Sequence, residues 1–275
     1  MYGKFFIKKQ GEPEFEIHDK LSSVRVLGMD NSAPQITPSY LKSAGSDGQL
    51  LQNVTYNTST VTLHLFARGL DIHDFKLTAA KVYSLLSSRT PIRIRDSISP
   101  GKVAYVVVKP FEVQPLNHTD DATIDVQFDN VSGMWYSLVN SDEFATSPDA
   151  LQIGLELPEQ LPVYHFNSNE FTVFNPSDVN IDPYRQRHSL KITVKGSGTF
   201  EMKNQTNGTS FKCTHSMNSG DKFVLDGVHA FLNGQLDSLE TDYGHIVLNK
   251  GNNDIVITGL NNADITFSFP FVYLQ

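Results

Sequence analysis

The chain has 275 residues, of which 22 are Lys or Arg and 30 are Asp or Glu, so its formal net charge is −8. This charge disfavours nonspecific binding to nucleic acid or to an anionic membrane, because phosphate groups would be repelled. The single cysteine, Cys213, excludes an internal disulfide framework and a cysteine-based zinc site, and no apolar run approaches the ~18 residues of a membrane span.

The length predicts about two domains at roughly 150 residues each. Only 19% of the residues are charged, while 18 Phe and 10 Tyr accompany many Ser, Thr and Asn residues. Aromatic residues and Thr suit the pleated, half-buried surface of a sheet, so the composition favours β-structure. The N-terminus has too short an apolar run for a signal peptide, and we expect synthesis in a cytosol.

An unusual hairpin is predicted between the strands Ser23–Leu27 and Ser59–Phe66. Strand-like arms within Pro34 to Thr58 flank the tip Gly45-Ser46-Asp47-Gly48, and an Asp-Gly pair is typical of a tight turn. Arms of about ten residues would project roughly 30 Å. A hairpin of this length is marginal alone, so we expect it to lie on something else, such as a neighbouring subunit.

The next element is an amphipathic helix over Asp71–Ser88, the only substantial helix that we predict. Its apolar positions Phe75, Ala79, Val82 and Leu86 recur at helical spacing, and Asp71 is a plausible N-cap. Four short strands follow: Ile92–Ile94, Lys102–Val108, Phe111–Pro115 and Ala122–Phe128. One helix with an antiparallel sheet over residues 1–130 is an α+β unit.

Periodicity lapses over residues 131–165, which predicts a linker or irregular connection. The remaining residues are predicted to form a β-sandwich or jelly roll. Gly196-Ser197-Gly198 is interpreted as a hairpin connection, and Asn207-Gly208 as a type I′ turn that places Phe200 and Met202 on one face with Phe211 and Cys213. The predicted strands are Phe171–Phe174, Leu190–Val194, Thr199–Lys203, Ser210–Thr214, Lys222–Leu225, Ile246–Leu248, Ile255–Thr258 and Ile265–Phe271.

Residue chemistry predicts no catalytic, metal or cofactor site. Cys213 and His215 share a strand face but offer two ligands at most, so a buried thiol beside a satisfied histidine is favoured. Asp178, Asn180 and Asp182 alternate like calcium ligands, yet a plain turn at Asp182-Pro183 fits better. Tyr164, Tyr184 and Tyr243 could form a sugar platform, although turn or core positions are favoured.

The order of these pieces resembles the distal tail protein family of long, non-contractile-tailed phages. The resemblance rests on the hairpin, the segment Thr60–Phe66 leading into the helix, and the strands that follow it. It extends to Phe171–Asp178, Lys250–Ile257 and the closing Ile265–Tyr273, so it covers nearly the whole chain.

The resemblance implies a structural protein of the virion tail tip, assembled in the host cytoplasm, and not an enzyme. It implies a hexameric ring formed by the N-terminal domain, residues 1–140. A linker over 141–164 and a galectin-like C-terminal sandwich, residues 165–275, would follow this domain. The hairpin, called the belt, would reach the neighbouring subunit. We therefore expect the oligomer interface to include Tyr40, Leu41, Leu50, Leu51, Val54 and Tyr56.

The expected partners are a second copy of the chain, a major tail or tube protein, a tail-associated lysin or fibre protein, and a receptor-binding protein. Two rival functions stay open at this point. One is a carbohydrate-binding adhesin, and the less favoured one is a β-sandwich glycoside hydrolase.

Overall fold

A computed structural model describes residues 3–147, 150, 152 and 154–275. It divides into two compact units, of which the first runs to Trp135 and includes Leu274–Gln275, and the second spans Tyr136–Tyr273. Strands dominate both units, which confirms the predicted mainly-β fold. Among the described residues, neither α-helix is long and apolar enough to cross a membrane.

The first unit is an antiparallel sheet with one long helix. In chain order its elements are β1 Phe5–Lys8, β2 Phe15–Glu16, α1 Ile17–Lys20, β3 Val24–Asn31, β4 Ile36–Leu41, β5 Leu50–Tyr56, β6 Ser59–Arg68, α2 Ile72–Leu86, β7 Ile92–Asp96, β8 Lys102–Val108 and β9 Asp121–Asn130. The strand order is β2-β1-β7-β8-β9-β6-β3, while β4 and β5 form a separate two-stranded sheet.

The predicted helix is confirmed as α2. Asp71 caps it, since its Oδ1 accepts hydrogen bonds from the backbone N–H groups of His73 and Asp74 at 2.8 Å. The apolar stripe that includes Phe75 and Val82 is buried. This face packs toward the sheet, where alternate residues of β6 are buried as well.

The predicted strand Phe111–Pro115 is wrong. This segment is irregular and contacts the helix α2 instead of pairing with a strand. The Phe111 ring lies 5.0 Å from the ring of Tyr83, centroid to centroid. The backbone N–H of Val113 donates to the Tyr83 hydroxyl at 2.9 Å. Its aromatic side chain and backbone donor are therefore satisfied by α2, without a neighbouring strand.

The second unit contains the remaining strands, and its described residues include the short 3-10 helices Ser141–Thr146 and Ser238–Glu240. Its strands are β10 Trp135–Asn140, β11 His165–Phe166, β12 Glu170–Asn175, β13 Lys191–Asn204, β14 Ser210–Met217, β15 Lys222–Asp226, β16 His229–Leu232, β17 Gln235–Leu236, β18 Gly251–Thr258, β19 Asn261–Ser268 and β20 Pro270–Tyr273. β10 pairs with β20.

The segment predicted as a linker, 141–164, supplies buried side chains to this unit, among them Phe144, Leu155 and Tyr164. The Phe144 ring stacks on Phe271 at 4.7 Å. Residues 148, 149, 151 and 153 of the segment lie outside the described residues. The segment lacks regular periodicity because it packs through individual side chains.

One long strand, β13, belongs to two sheets. Its first half pairs with β15 and β19, and its second half pairs with β14 and β18. Gly196 and Gly198 lie where the pairing partners of β13 change, and their φ angles are +150° and +109°. The interpretation of Gly196–Gly198 as a hairpin connection is therefore wrong, since these glycines let a single strand turn the corner between sheets.

The predicted Asn207-Gly208 hairpin joins β13 to β14, and Phe200 pairs with Cys213 while Met202 pairs with Phe211, as expected. The type I′ turn is wrong, because only Gly208 of the two residues has a positive φ and the loop is longer than two residues.

The predicted strand Ile246–Leu248 is also wrong. Only an isolated bridge joins Leu248 to Ile181, and the amide of Asn175 donates to the Leu248 carbonyl.

A histidine in the sheet of the first unit lies between two carboxylates. His64 on β6 places Nδ1 2.7 Å from Asp125 Oδ1 on β9 and Nε2 3.1 Å from Asp30 Oδ2 on β3. The hydrogen bond with Asp125 is the main cause of the raised pKa of His64, and Asp30 adds to it against the opposing effect of burial. When it is protonated, the ring donates to both carboxylates and thus links three neighbouring strands.

Replacing Gly198 with Ala should destabilise the second unit. A Cβ at Gly198 would lie 2.5 Å from the carbonyl oxygen of Gly259, and φ there is +109°. We expect a loss of ~2 kcal/mol in the free energy of unfolding, measured by urea denaturation. Gly220→Ala is the matched control, since a Cβ there meets nothing within 4 Å. Equal stability of the two variants would contradict the corner assignment.

The His64 contacts predict a pH-dependent stability. Because the folded pKa is raised, the stabilisation is fully present below the unfolded value of about 6.5 and is lost as pH rises through the folded pKa. The difference in unfolding free energy between the parent chain and His64→Gln should therefore shrink above about pH 6.5. Asp125→Asn should lower the NMR titration midpoint of His64, and a pH-independent difference would refute the linkage.

Candidate functional site: an exposed apolar hairpin

The predicted hairpin is present as the strand pair β4–β5. Ile36–Leu41 and Leu50–Tyr56 pair antiparallel, and every residue of both strands is exposed. Six to seven residues per strand correspond to roughly 20 Å, somewhat shorter than predicted. The exposed fraction of the six predicted interface residues ranges from 39% at Tyr56 to 68% at Leu50.

Strand register divides the hairpin into an apolar and a polar face. Residues directly opposite each other in an antiparallel pair share a face. The pairs Ile36–Tyr56 and Pro38–Val54 therefore lie on one face. Thr37–Thr55 and Ser39–Asn53 lie on the other.

A β-bulge extends the apolar face toward the tip. The register shifts after Ser39, which leaves Gln52 without an opposite residue and places Tyr40 opposite Leu51. Strict alternation along β5 would have put Leu51 with Asn53 on the polar face. The bulge brings it to the apolar face, which we call the hairpin stripe: Ile36, Pro38, Tyr40, Leu51, Val54 and Tyr56.

The structure thus brings together four of the predicted interface residues and separates two. Tyr40, Leu51, Val54 and Tyr56 belong to the hairpin stripe. Leu41 pairs with Leu50 on the opposite face, next to the tip. Ile36 and Pro38 were missed by sequence reasoning, although alternation with Tyr40 could have identified them.

Hydrogen bonds on the polar face hold the arms together. The amide of Asn57 donates to the Thr37 hydroxyl at 2.6 Å, and the Thr55 hydroxyl donates to the Thr37 carbonyl at 3.4 Å. The Ser39 hydroxyl donates to the Asn53 carbonyl at 3.5 Å. The polar face is therefore satisfied within the hairpin, whereas the hairpin stripe has no apolar cover from the described residues.

The root of the hairpin is tied to the main sheet. The backbone N–H of Asn57 donates to the Gln35 carbonyl at 2.7 Å, and that of Ser32 donates to the Thr60 carbonyl at 2.9 Å. Gly133, with φ of +69°, packs so closely that a Cβ would lie 2.0 Å from the Asn57 carbonyl oxygen. These contacts continue the β3–β6 pair into the hairpin.

The other sequence candidates have ordinary surroundings. Burial raises the pKa of the Cys213 thiol to about 11, and His215 lies 3.4 Å from Asp237. Asp182 accepts from two backbone N–H groups of its own turn, while Asn180 accepts from the Lys250 backbone. No cluster of three metal-ligating residues occurs within the described part of the chain.

The three tyrosines considered for a sugar platform, for which turn or core positions were favoured, differ in exposure. Tyr164 is buried, and its hydroxyl donates to the Phe174 carbonyl, which confirms the favoured core position for this residue. Tyr184 and Tyr243 are exposed. The ring of Tyr184 stacks on His245 with centroids 4.9 Å apart.

Comparison with solved structures finds the same fold over nearly the whole chain. The Dit protein of SPP1, described as a paradigm of the hub adsorption apparatus in phages that infect Gram-positive bacteria, aligns with a TM-score of 0.68 and 14% identity, covering 97% of this chain and 99% of that one. Chains of the phage p2 baseplate in its activated conformation, with Sr or with Ca, align over 98% of both chains at 10% identity, with TM-scores of 0.47 and 0.46.

Sequence comparison identifies a known domain type within the first unit. No curated protein sequence matches the chain. Residues 13–130, which include the sheet strands β2 to β9, the hairpin and α2, match the family model of the phage tail protein RIFT-related domain. The resemblance predicted from the sequence is confirmed: residues 13–130 are similar to the phage tail protein RIFT-related domain, and the chain shares its fold with the Dit protein of SPP1.

Proposed function

We propose that this chain is the subunit of a hexameric ring at the phage tail tip, with a structural role and no catalysis. The observation that carries the proposal is the hairpin stripe. Six apolar residues line one face of an exposed two-stranded sheet that is anchored at its root. Burying a large apolar side chain contributes about 1.5–3 kcal/mol, so this face favours a protein partner.

A second copy of the chain is the partner that we assign to the stripe. The hairpin is a separate two-stranded sheet, and the main sheet of the first unit does not include its strands. A hairpin that covers a different surface of its neighbour makes a head-to-tail contact, and such contacts close into a ring when the rotation per subunit allows. Six copies of a 30.7 kDa chain make the expected particle.

The ring would connect the tail tube to the components beyond it. We assign it a major tail or tube protein on one side, a tail-associated lysin or fibre protein on the other, and receptor-binding proteins carried by the second unit. The subunit would be assembled in the host cytoplasm and would remain in the virion. The fold shared with the SPP1 Dit protein supports this assignment.

A carbohydrate-binding adhesin is the second candidate, and one observation favours it. Tyr184 is 63% exposed, and its ring stacks on His245 with an interplanar angle of 28° in the second unit. An exposed aromatic plane backed by a second ring can stack on the apolar face of a sugar. The turn carrying Tyr184 is fixed by Asp182, which accepts from the Tyr184 and Arg185 backbones.

Charge placed on the hairpin stripe should weaken assembly. We expect Val54→Lys to raise the concentration at the midpoint of assembly at least tenfold, about 1.4 kcal/mol, because the ammonium must be desolvated against the neighbour. Thr55→Lys, one residue away on the polar face, is the matched control and should change it less than threefold. Light scattering over a dilution series measures both.

A parent chain that stays monomeric at every concentration, with no rings in negative stain, would contradict the ring proposal. Equal effects of the two lysine variants would instead mean that the stripe is not the contact surface. Circular dichroism of each variant checks that the fold is retained.

The adhesin candidate predicts glycan binding that depends on Tyr184. The full chain should bind a subset of a glycan array or of purified cell walls, and Tyr184→Ala should lower that binding at least tenfold. Tyr243→Ala, which removes an exposed tyrosine outside the stack, is the control. Binding that is absent in the parent chain, or unchanged in Tyr184→Ala, would eliminate this candidate.

A further inference from the structure

A groove in the first unit is separate from the hairpin. It lies between the start of β3, the end of β6 and the helix α2, and its volume is about 430 Å³. Pockets that bind ligands commonly have volumes of roughly 300–1,000 Å³. None of the lining residues belongs to β4 or β5, so the groove is a second surface with its own chemistry.

Positive charge dominates the groove. Arg25 on β3, Arg68 on β6 and Lys81 on α2 line it, whereas Asp74 is the one carboxylate among the described lining residues. Arg68 lies 3.4 Å from Asp121, and the cations outnumber the carboxylates even when Asp121 is counted. In a chain of net charge −8 this is a local reversal of sign, and it attracts an anionic occupant.

Two of the three cations are not used within the first unit. Neither Arg25 nor Lys81 has an ion-pair partner in the part of the chain that the structure describes, and both residues are exposed. One oxygen of Asp74 is already engaged, because its Oδ2 accepts from the Leu70 backbone N–H at 2.9 Å. The groove therefore offers two unpaired cations, from two different elements, to a carboxylate.

Hydroxyl groups in the groove add a hydrogen-bond donor. Ser23 Oγ and Thr78 Oγ1 lie 3.2 Å apart, and Thr78 is buried. One hydroxyl hydrogen of the pair is used in this contact, and the other has no acceptor among the described residues. A hydroxyl hydrogen without an acceptor favours an occupant that accepts hydrogen bonds, as a carboxylate does.

An apolar wall lies beside these charges. Leu70 is 90% exposed, and the Phe66 ring is partly exposed with the guanidinium of Arg68 5.9 Å from its centroid. Phosphate polymers match the charge of the groove but bring no apolar group to this wall. A peptide in which Asp or Glu stands next to an apolar residue matches both the charge and the wall.

We infer that the groove between β3, β6 and α2 binds an acidic peptide segment of another phage tail protein. A carboxylate of this segment lies between Arg25 and Lys81, and an apolar side chain beside it covers Leu70. The hairpin tip of a second copy is a poor match, because exposed Lys42 accompanies Asp47 there. The inference rests on the proposed place of the chain among other tail proteins, and it does not depend on the hairpin stripe.

A peptide array tests the occupant. The probes are overlapping synthetic peptides that tile the other tail proteins of the same phage, and they are incubated with the full chain at low salt. We expect binding to be confined to peptides in which Asp or Glu flanks an apolar residue. The tightest peptide is then resynthesised with Asn and Gln in place of Asp and Glu, and fluorescence anisotropy should show about tenfold weaker binding.

Substitutions in the groove locate the binding site. Arg25→Glu and Lys81→Glu should each lower the affinity for the tightest peptide about tenfold, because each places like charges together. Lys76→Glu is the matched control, since it makes the same charge change at an exposed position about 140° around α2 from Lys81. Leu70→Ser should lower the affinity about fivefold, and Leu77→Ser, exposed on α2 outside the groove, is its control.

A parent chain that binds no acidic peptide, or equal losses in the groove variants and their controls, would overturn the inference. Binding of polyphosphate in place of the peptides, lost in Lys81→Glu but not in Lys76→Glu, would overturn the peptide as the occupant. Light scattering on the same samples separates these results from the ring. Variants that assemble like the parent but lose the peptide support the groove, and a parent that binds acidic peptides without assembling contradicts only the ring.

Discussion

The structure depends on one constraint: a two-stranded sheet carries an apolar face into water. A two-stranded hairpin is marginal by itself, and here the stability must come from its root and from whatever covers the hairpin stripe. The root is rigid because Gly133 admits the Asn57 carbonyl and because Ser32 and Gln35 continue the ladder from the main sheet. The position of the stripe is therefore set by the folded domain, and a partner meets a surface that is already ordered.

The strand β6 connects the features that matter for assembly. Its buried face, including Val61 and Leu65, lies in the core, while its other face carries His64 between the carboxylates of Asp30 and Asp125. One end of β6 continues into the hairpin, and the other end lines a groove between β3, β6 and α2 at Phe66. Core packing on one side and the histidine contacts on the other keep the two ends at a fixed separation.

Sequence patterns predicted elements whose local signals agree with their packing. One such case is the alternation of buried and exposed residues in β6 and β9. Another is α2, with its Asp71 cap and its apolar stripe. The failures come from tertiary contacts that leave no periodic trace. Phe111 is held by Tyr83 on α2, Gly196 and Gly198 bend a strand between sheets, and a one-residue bulge transfers Leu51 to the apolar face. The groove unites side chains from three elements, which no local window of sequence contains.

An exposed apolar strand pair also presents unpaired edges, which is the usual starting point for aggregation. Pro38 removes a backbone donor from one edge, the bulge at Gln52 interrupts the regular spacing of the other, and Thr37, Ser39 and Asn53 keep the opposite face polar. These features disfavour indefinite strand addition while leaving the hairpin stripe free for face-to-face burial. The hairpin therefore favours a partner that covers its apolar face without lengthening any sheet.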